Sequence, residues 1–555
     1  MPDLRPASSD DSISAAFRQT VARFPDNDFV HIPSAACDSY SDEPLTITYA
    51  VAAQAVDTLV ERYAVAGVGD RHRVVLMLEN RIEFFVHFLA LNALGASAVP
   101  VNSEAAPEEI AYFAHHSGAA LAIVLPDHLD RVRASLTYPD APQVGEASRD
   151  WAGFQSPMPV VRADAAAGEA ALLYTSGTTG LPKGCILSQE YFLHCGRWYN
   201  AMGEIAAVRD GRERLITPLP LNHSNALAWS FMAMLLSGGC VVQLDRFRPS
   251  TWWTSVRESR ATIIHYLGVM PAMLLKQAPN PADPIGAQVR FGFGAGVDPR
   301  HHLSFEERFG FPLIEAWAMT ETGAGGIIAA DHEPRHVGTR CFGVPGGTVR
   351  ALVIDDDGRP VADGVAGELL VRQAGLRPDF AFFSGYHGDP AATTAAWTDG
   401  WFRTGDIVVR DPDGSMRFVD RAKNIVRRSG ENIAAVEVEG VLLRHPAVRS
   451  CAVMPVPDEI RGEEVGAAIV LAPDGVGGEA LAIELFDLVN DSLSYFKAPG
   501  HIAFVAELPM TGSQKIRRGE LRALMTREQE GGRTFDLTAR KRRPRGQGIA
   551  DRAQA

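Results

Sequence analysis

Between residues 45 and 101 apolar positions fall first at helical spacing, in TITYAVAAQAVDTLVERYAVAGVG, and then run together in RVVLML. This predicts an amphipathic helix ended by glycine, then a strand, so an α/β unit opens here. Asn80, with Glu83 three residues on, reads as a capping box. Phe84, Phe85, Phe88 and Leu89 read as the apolar face of the next helix, Gly95 as its stop and SAVPV as a returning strand. Strand, helix and strand of this length predict right-handed crossovers in a mostly parallel sheet, and the alternation recurs through residue 330. After residue 340 the runs become short and β-rich: VRALVIDDDGRP, GELLVR and VVRDPDGSMRFVD, the last with a hairpin turn at Asp-Pro-Asp-Gly. From Asn424 the order is strand, helix (AAVEVEGVLLRH), two strands (SCAVMPV, GAAIVLA) and helix (ALAIELFDLVNDSL), a small α+β domain. The expected fold class is α/β and α+β. A large N-terminal domain (1–419) holds parallel α/β sheets and a β subdomain, residues 420–423 link it to a C-terminal domain at 424–530, and residues 531–555, with RKRRPR, form a disordered basic tail.

Composition narrows the partners. The 555 residues, 46% apolar and 22% charged, suit a globular protein with several cores. A net charge of −14 disfavours nucleic acid and anionic membrane, so a phosphate ligand must be held locally. Six cysteines lie far apart without a CxxC pair, which suggests neither a disulfide framework nor a cysteine zinc site and fits a reducing cytoplasm. The polar, acidic N-terminus lacks the order of a signal peptide. The charge-free stretch from Leu215 to Leu244 is cut by Pro218, Pro220, His223 and Gly238-Gly239, and reads as buried core rather than a membrane span.

The strongest local signal is Tyr174-Thr-Ser-Gly-Thr-Thr-Gly-Leu-Pro-Lys-Gly184, set between two apolar runs. Gly177 and Gly180 let the backbone fold tightly and present N–H groups, while Thr175, Ser176, Thr178, Thr179 and Lys183 supply hydroxyls and a positive charge, which suits a polyphosphate. It is not the GxxxxGK[ST] loop, since no glycine directly precedes Lys183. Three other patterns are decoys. His332-Glu-Pro-Arg-His336 has the letters of a zinc helix, but Pro334 breaks the helix that must align both histidines. GFGAGV has Val297 where a dinucleotide fingerprint needs glycine, and Asp355-Asp-Asp-Gly358 lacks the first acid of a calcium loop.

YTSGTTGLPKG resembles the phosphate-binding signature of the adenylate-forming superfamily of acyl-CoA synthetases, luciferases and peptide-synthetase adenylation domains. The resemblance continues in order through PLPLNHSNA, GAGV, AWAMTETG, GELLVR, GWFRTGD, VDRAKNIVRRSGENIAAVEVE and LPMTGSQKI, over roughly residues 15 to 525. VDRAKNIVRRSGENIAAVEVE and DEIRGEEVGAAIV are most similar to the carnitine/crotonobetaine-CoA ligase branch.

The resemblance implies roles residue by residue. Glu321 is the Mg²⁺ carboxylate, with Thr178 beside it, and Thr320 donates to the α-phosphate. Asp406 accepts from both ribose hydroxyls, and Arg421 is a second ribose and phosphate contact. Gly294, Ala295, Gly296, Trp317, Ala318 and Met319 frame the nucleotide. Lys515 bridges the acid and the α-phosphate and is, with His223, a catalytic candidate. The C-terminal domain is implied to be a mobile lid turning about Lys423, which brings Arg428, Ser429, Gly430, Glu431 and Asn432 to CoA, with Arg461 and Lys497 as further CoA contacts. The acid pocket is implied at His223, Asn225, Trp229, Tyr266, Leu267, Trp317 and Gly323. Three positions depart from the pattern: Trp317-Ala318 for an aromatic-glycine pair, Gln514 for a glycine and Ala435 for a proline.

The implied activity is ATP-dependent, AMP-forming ligation of a small or medium organic acid to CoA, with ATP, Mg²⁺ and CoA required. Carrier-protein loading and a non-catalytic acyl or nucleotide sensor are the alternatives. No GxxS carrier segment follows Lys515, and Lys515, Glu321 and Asp406 all stand. The pocket segments hold no Arg or Lys, which disfavours a dicarboxylate. Faces of Trp229, Tyr266 or Trp317 could hold a quaternary ammonium, or the rings could pack against a neutral acyl or aryl chain. Oligomeric state stays open, a homodimer included.

Overall fold

The computed structural model describes residues 11–148, 168–175, 182–355, 357–421, 425–428, 431–458, 462–473, 475–493, 495–510 and 516–541. They fall into two compact units. One comprises the described residues within 1–177, 181–404 and 409–418, and the other those within 405–408 and 419–555.

The helix expected near residue 50 is Tyr49–Val65, capped by the Thr48 hydroxyl, which accepts from the Val51 N–H at 3.3 Å. Its buried face, Tyr49, Ala52, Ala53, Val56, Leu59 and Tyr63, has the spacing that predicted it. Arg73–Met77 follows as a strand buried at every residue, as parallel strands covered on both faces are. The capping box at Asn80 does not form. Arg81 is the N-cap of helix Ile82–Ala93, and the buried Asn80 amide donates to Leu219 O (3.2 Å) and Leu244 O (2.8 Å) and accepts from Leu221 N–H (3.0 Å). Backbone groups at the ends of two buried strands need partners more than the start of this helix does.

The large unit holds two sheets with parallel centres. The seven-stranded sheet runs in the order Gly385–Tyr386, Lys183–Ser188, Glu169–Thr175, Ser97–Pro100, Arg73–Met77, Leu121–Val124, Gln143–Glu146. The eight-stranded sheet runs Ile328–Ala329, Leu313–Trp317, Phe291–Ala295, Ile263–Leu267, Arg214–Thr217, Cys240–Gln243, Asp28–Ile32, Leu45–Thr48, with only the two edge pairs antiparallel. The β-rich part is a third sheet, Val349–Ile354, Ala366–Gln373, Trp401–Arg410 and Trp397–Thr398, with Met416–Arg421 also on Trp401–Arg410. The uncharged stretch after Leu215 forms strand, π-helical turn Asn225–Phe231, helix Met232–Ser237 and strand within the core. Among the described residues no helix is long and apolar enough to cross a membrane.

In the small unit, helices Ala435–Leu442 and Glu479–Ser492 share a core of Val438, Leu442, Val453, Ile469, Leu485 and Phe486 with the sheet. Residues 531–541, expected to belong to a tail, are ordered. Thr534–Asp536 pairs antiparallel with His501–Phe504, and Phe535 and Leu537 pack on the same core. Lys541 Nζ is buried against the Glu464 carboxylate. Apolar side chains at alternate positions and one matched charge order this segment, whereas its composition had read as solvated. Residues 542–555 lie outside the described ones.

Candidate functional site

The hairpin Glu169–Thr175 and Lys183–Ser188 ends on the pair Thr175 and Lys183. Ser176, Gly177, Thr178, Thr179 and Gly180, between them, lie outside the described residues. The short strand Gly385–Tyr386 pairs with Lys183–Ser188, setting Tyr386 opposite Cys185. From there the Tyr386 hydroxyl donates to Glu321 Oε1 at 3.0 Å, and the Phe383 N–H donates to the Glu321 carbonyl at 2.9 Å. Glu321 comes from the loop after strand Leu313–Trp317 of the other sheet, so its buried carboxylate is fixed where the two sheets meet. Lys183 Nζ stands 3.8 Å from Asp389 Oδ2 and 4.9 Å from the centre of the Tyr386 ring. Burial, then the charge of Glu321, pushes the Tyr386 phenol up, so it stays a donor. The same two causes push the Cys185 thiol well up.

The Glu321 loop is shaped locally. Met319 N–H donates to Thr322 Oγ1 at 2.9 Å, and Thr320 Oγ1 lies 3.2 Å from Ser224 Oγ. Gly323, with φ +45°, packs so closely on Tyr191 that a Cβ would lie 2.2 Å from its ring. Ala318, Ala295, Gly296 and Leu267 are exposed at the carboxyl ends of adjacent parallel strands, where ligands bind open α/β sheets. His223 and Asn225 are half-buried at the π-helical turn, and the buried Asn225 Oδ1 has no hydrogen-bond partner among the described residues.

Glu315 is a residue that the sequence reading missed. Buried in Leu313–Trp317, it accepts from Gly296 N–H (2.9 Å), Val297 N–H (3.2 Å) and Tyr266 OH (2.8 Å), clasping the GAGV turn. An acid inside the apolar run FPLIEAW was the available signal. Tyr266 must be reassigned as a consequence. It is 2% exposed, its hydroxyl is on Glu315, and its ring lies so close under Gly294 that a Cβ there would come within 2.7 Å of it. It supports the Gly294–Val297 turn from beneath.

Trp229, buried, meets half-buried Trp198 edge to face at 5.7 Å, and Trp198 meets Phe293 at 6.3 Å. Behind them His265 lies between Ser230 Oγ (2.6 Å) and Tyr199 OH (2.9 Å), and burial lowers its pKa to about 3, so it is neutral. Trp317 is buried with its ring 6.2 Å from Phe342.

In the small unit Asp406, 1% exposed, pairs with Arg421 at 2.7 Å, and Asp420 accepts from Arg421 N–H (2.7 Å) and Val436 N–H (3.2 Å). Arg428 is buried with its Nε 2.7 Å from Glu464, and Lys497 Nζ donates to both Glu437 oxygens at 2.7 Å. Both cations are thus matched within their own unit. Lys515, Lys423, Ser429, Gly430 and Arg461 lie outside the described residues, as do the side chains of Glu431 and Asn432, whose backbone forms strand Glu431–Ala434. The histidines of the HExxH letters are on no helix: His332 contacts Asp331 (2.8 Å) and His336 contacts Asp413 (2.7 Å).

Among the described residues no three His, Cys, Asp or Glu side chains gather into a metal cage. A single carboxylate oriented by a phenol, with an ammonium close by, suits a hard cation that takes its other oxygens from phosphate and water. A buried carboxylate and a lysine at the mouth of a glycine-threonine hairpin, beside the carboxyl ends of a parallel sheet, define an adenylate-forming enzyme. The chain belongs to the AMP-binding enzyme family, whose model matches residues 17–386, and the AMP-binding enzyme C-terminal domain model matches residues 437–515. It is 33% identical over 528 residues to the sulfoacetate-CoA ligase of Cupriavidus necator, covering 92% of this chain and 97% of that one. It is 32% identical to a feruloyl-CoA synthase of Amycolatopsis (86% and 93% covered) and 28% to the crotonobetaine/carnitine-CoA ligase of Escherichia fergusonii (89% and 96%). The ATP-bound MatB structure from Rhodopseudomonas palustris shares the fold, with TM-score 0.76 at 23% identity over 92% of this chain and 98% of that one.

Proposed function

We propose that this enzyme, an AMP-forming acid-CoA ligase that uses ATP, Mg²⁺ and CoA, activates a carboxylic acid with an uncharged aryl or alkyl tail. The acid's carboxylate oxygen attacks the α-phosphorus of ATP as the bond to pyrophosphate breaks. The CoA thiol then attacks the acyl carbon, and AMP leaves. Lys183 holds the outer phosphates, Thr320 the α-phosphate, and Asp406 with Arg421 the ribose. Glu321 is the Mg²⁺ ligand, and the ion when bound neutralises phosphate charge as a Lewis acid. Lys515 meets the charge that develops at the α-phosphate. The segment 420–423 is the hinge about which residues 424–530 turn between the two half-reactions, with Ser429, Gly430 and Arg461 serving CoA.

The observation that supports the choice of acid is the cluster of Trp198, Trp229 and Phe293 rings backed by a neutral His265, whose hydrogen-bond partners among the described residues are the Ser230 and Tyr199 hydroxyls. Its test is CoA-dependent AMP release over a panel: a cinnamate-type acid, an aliphatic acid, sulfoacetate, a carnitine-like betaine and the betaine's tert-butyl isostere. A neutral acid should lead in kcat/KM, and sulfoacetate in the lead would overturn the reading. The betaine reading keeps Trp229 and Trp317 as cation-π faces, and a ~2–30-fold preference for the betaine over its isostere would establish it. AMP release without CoA, or only with a carrier protein, would favour the carrier-loading alternative. We place the enzyme in the cytoplasm, since its six cysteines are all buried and unbridged, and expect no nucleic-acid partner. Sedimentation decides whether it is a homodimer.

A further inference from the structure

The hairpin that ends at Thr175 and Lys183 is gripped from the side by rings to which the reaction above gives no part. On helix Pro107–Ser117, Tyr112 and His116 lie one turn apart with rings stacked at 5.2 Å. The Tyr112 hydroxyl donates to Pro182 O at 2.7 Å, and His116 Nδ1 lies 2.8 Å from the Tyr174 hydroxyl. One helical turn therefore holds both sides of the hairpin. His387, next to Tyr386, completes the brace: its N–H donates to Gly184 O at 2.8 Å, and its Nε2 donates to His116 O at 2.9 Å. Arg73 Nη1 lies against the same ring, 3.2 Å from Nδ1 and 3.1 Å from Nε2.

We propose that His116 is a positioning residue for ATP: its neutral imidazole holds the Tyr174 hydroxyl and with it the phosphate hairpin, and a proton on the ring strains this brace by placing a cation among His387, Arg73 and His115. The charged and titratable groups around it come from four elements. Tyr112 and His115 are on its own helix, Tyr174 is on the hairpin, His387 follows strand Gly385–Tyr386, and Arg73 is on the strand Arg73–Met77 with its charge matched by Glu169 at 2.8 Å. A proton on His116 would turn Nδ1 from acceptor to donor, and the Tyr174 oxygen, which can accept, would keep the contact while its hydrogen turns elsewhere. The proton would also add a cation near Arg73. Burial first, then His387, Arg73 and His115, hold the His116 pKa below the ordinary histidine value.

The inference rests on the family's use of ATP and not on the identity of the acid. Its test is therefore the Kd of the full-length protein for Mg·ATP, measured by calorimetry with no acid present from pH 5 to 8. KM and kcat for ATP follow with whichever acid is turned over. In the wild type the Kd should rise ~2–10-fold at the acid end of this range, below the ordinary histidine pKa, the span of one hydrogen bond, with kcat moving less than about twofold. His116→Asn, which can place an amide oxygen near the Nδ1 position, should keep the neutral-pH Kd within about twofold and lose the acid rise. His116→Leu should weaken Mg·ATP ~2–10-fold at every pH and leave KM for the acid unchanged. Should the leucine variant not fold, Tyr174→Phe removes the same hydrogen bond from the other side and must give the same ~2–10-fold weakening at neutral pH. An acid rise that survives His116→Asn, or a Kd unmoved by both deletions, overturns the proposal. Failure of every acid in the panel would bear on the acid assignment and leave this binding test intact.

Discussion

Glu321 and Glu464 are both buried carboxylates, yet their surroundings differ in kind. Glu321 is oriented by a neutral phenol, and Lys183, 4.9 Å from the centre of that phenol's ring, is itself only loosely paired, 3.8 Å from Asp389. Glu464, in the small unit, has Arg428 on one oxygen and Lys541 on the other, all three at most 7% exposed. A hydrogen bond from a neutral donor fixes a carboxylate and leaves its charge to act on a ligand, whereas close ion pairing in a dry core uses that charge up in holding the fold. By this contrast Arg428, Glu464 and Lys541 are matched to one another in a dry core, whereas Lys183, Glu321 and Asp389 are not, as the proposed role at the phosphates requires.

The largest effect expected is on the matched side. Glu464→Gln removes the counter-charge described for the buried Arg428 and Lys541, and should cost ~3–5 kcal/mol in urea unfolding of the full chain. If stability holds and only CoA affinity falls, the cluster serves the ligand and the contrast fails. On the substrate side Glu321→Ala should lower kcat/KM ~10²–10³-fold with an unchanged Tm, the scale of one preorganised electrostatic group. Lys515→Ala should cost at least ~10²-fold in adenylate formation while sparing thioester formation from supplied acyl-adenylate. Equal loss in both half-reactions would remove the case for a turning lid.

The sequence carried the sheets well, because buried parallel strands and helical faces leave periodicities that few alternatives share. It carried side chains that act at a distance poorly. Asn80 looked like a cap because its neighbours fit a local rule, yet its partners, Leu219, Leu221 and Leu244, are about 140 to 165 positions away. Tyr266 belonged to the acid-pocket segments by order along the chain, and only Glu315, on a strand one removed from its own, shows which way its ring faces. The phosphate motif was legible since its glycines, hydroxyls and lysine are consecutive. Tyr386, which fixes Glu321 from 65 positions on, has no consecutive signature at all.

A smaller effect separates buried neutral groups from the charged ones. Burial, with Arg62 adding to it at His87, lowers the pKa of His87 and of His265 to about 3. With folded values below the unfolded one near 6.5, the unfolded chain takes protons first as pH falls. Stability is then present above 6.5 and lost on the way down toward 3. Between pH 6.5 and 5, above the carboxylate range, each histidine should remove ~1.4 kcal/mol per pH unit. Urea unfolding at pH 7, 6 and 5 measures the slope, and a flat line would mean that one or both rings are charged in the fold.

The smallest effect is the most specific to the substrate side. Tyr386→Phe deletes the hydroxyl that donates to Glu321 but keeps the ring over which Lys183 lies at 4.9 Å, so cation-π contact survives and only the orientation of the carboxylate is lost. One hydrogen bond to a carboxylate is worth ~1.5–3 kcal/mol at most, and bulk water and Mg²⁺ recover part of it at a site open to substrate. The Mg²⁺ concentration for half-maximal rate should therefore rise ~2–10-fold, with kcat at saturating Mg²⁺ and the Tm near those of the wild type. A fall in Tm with no shift in the Mg²⁺ curve would place Tyr386 with the matched charges of the core, and the line drawn between the two carboxylates would then run through Glu321 itself.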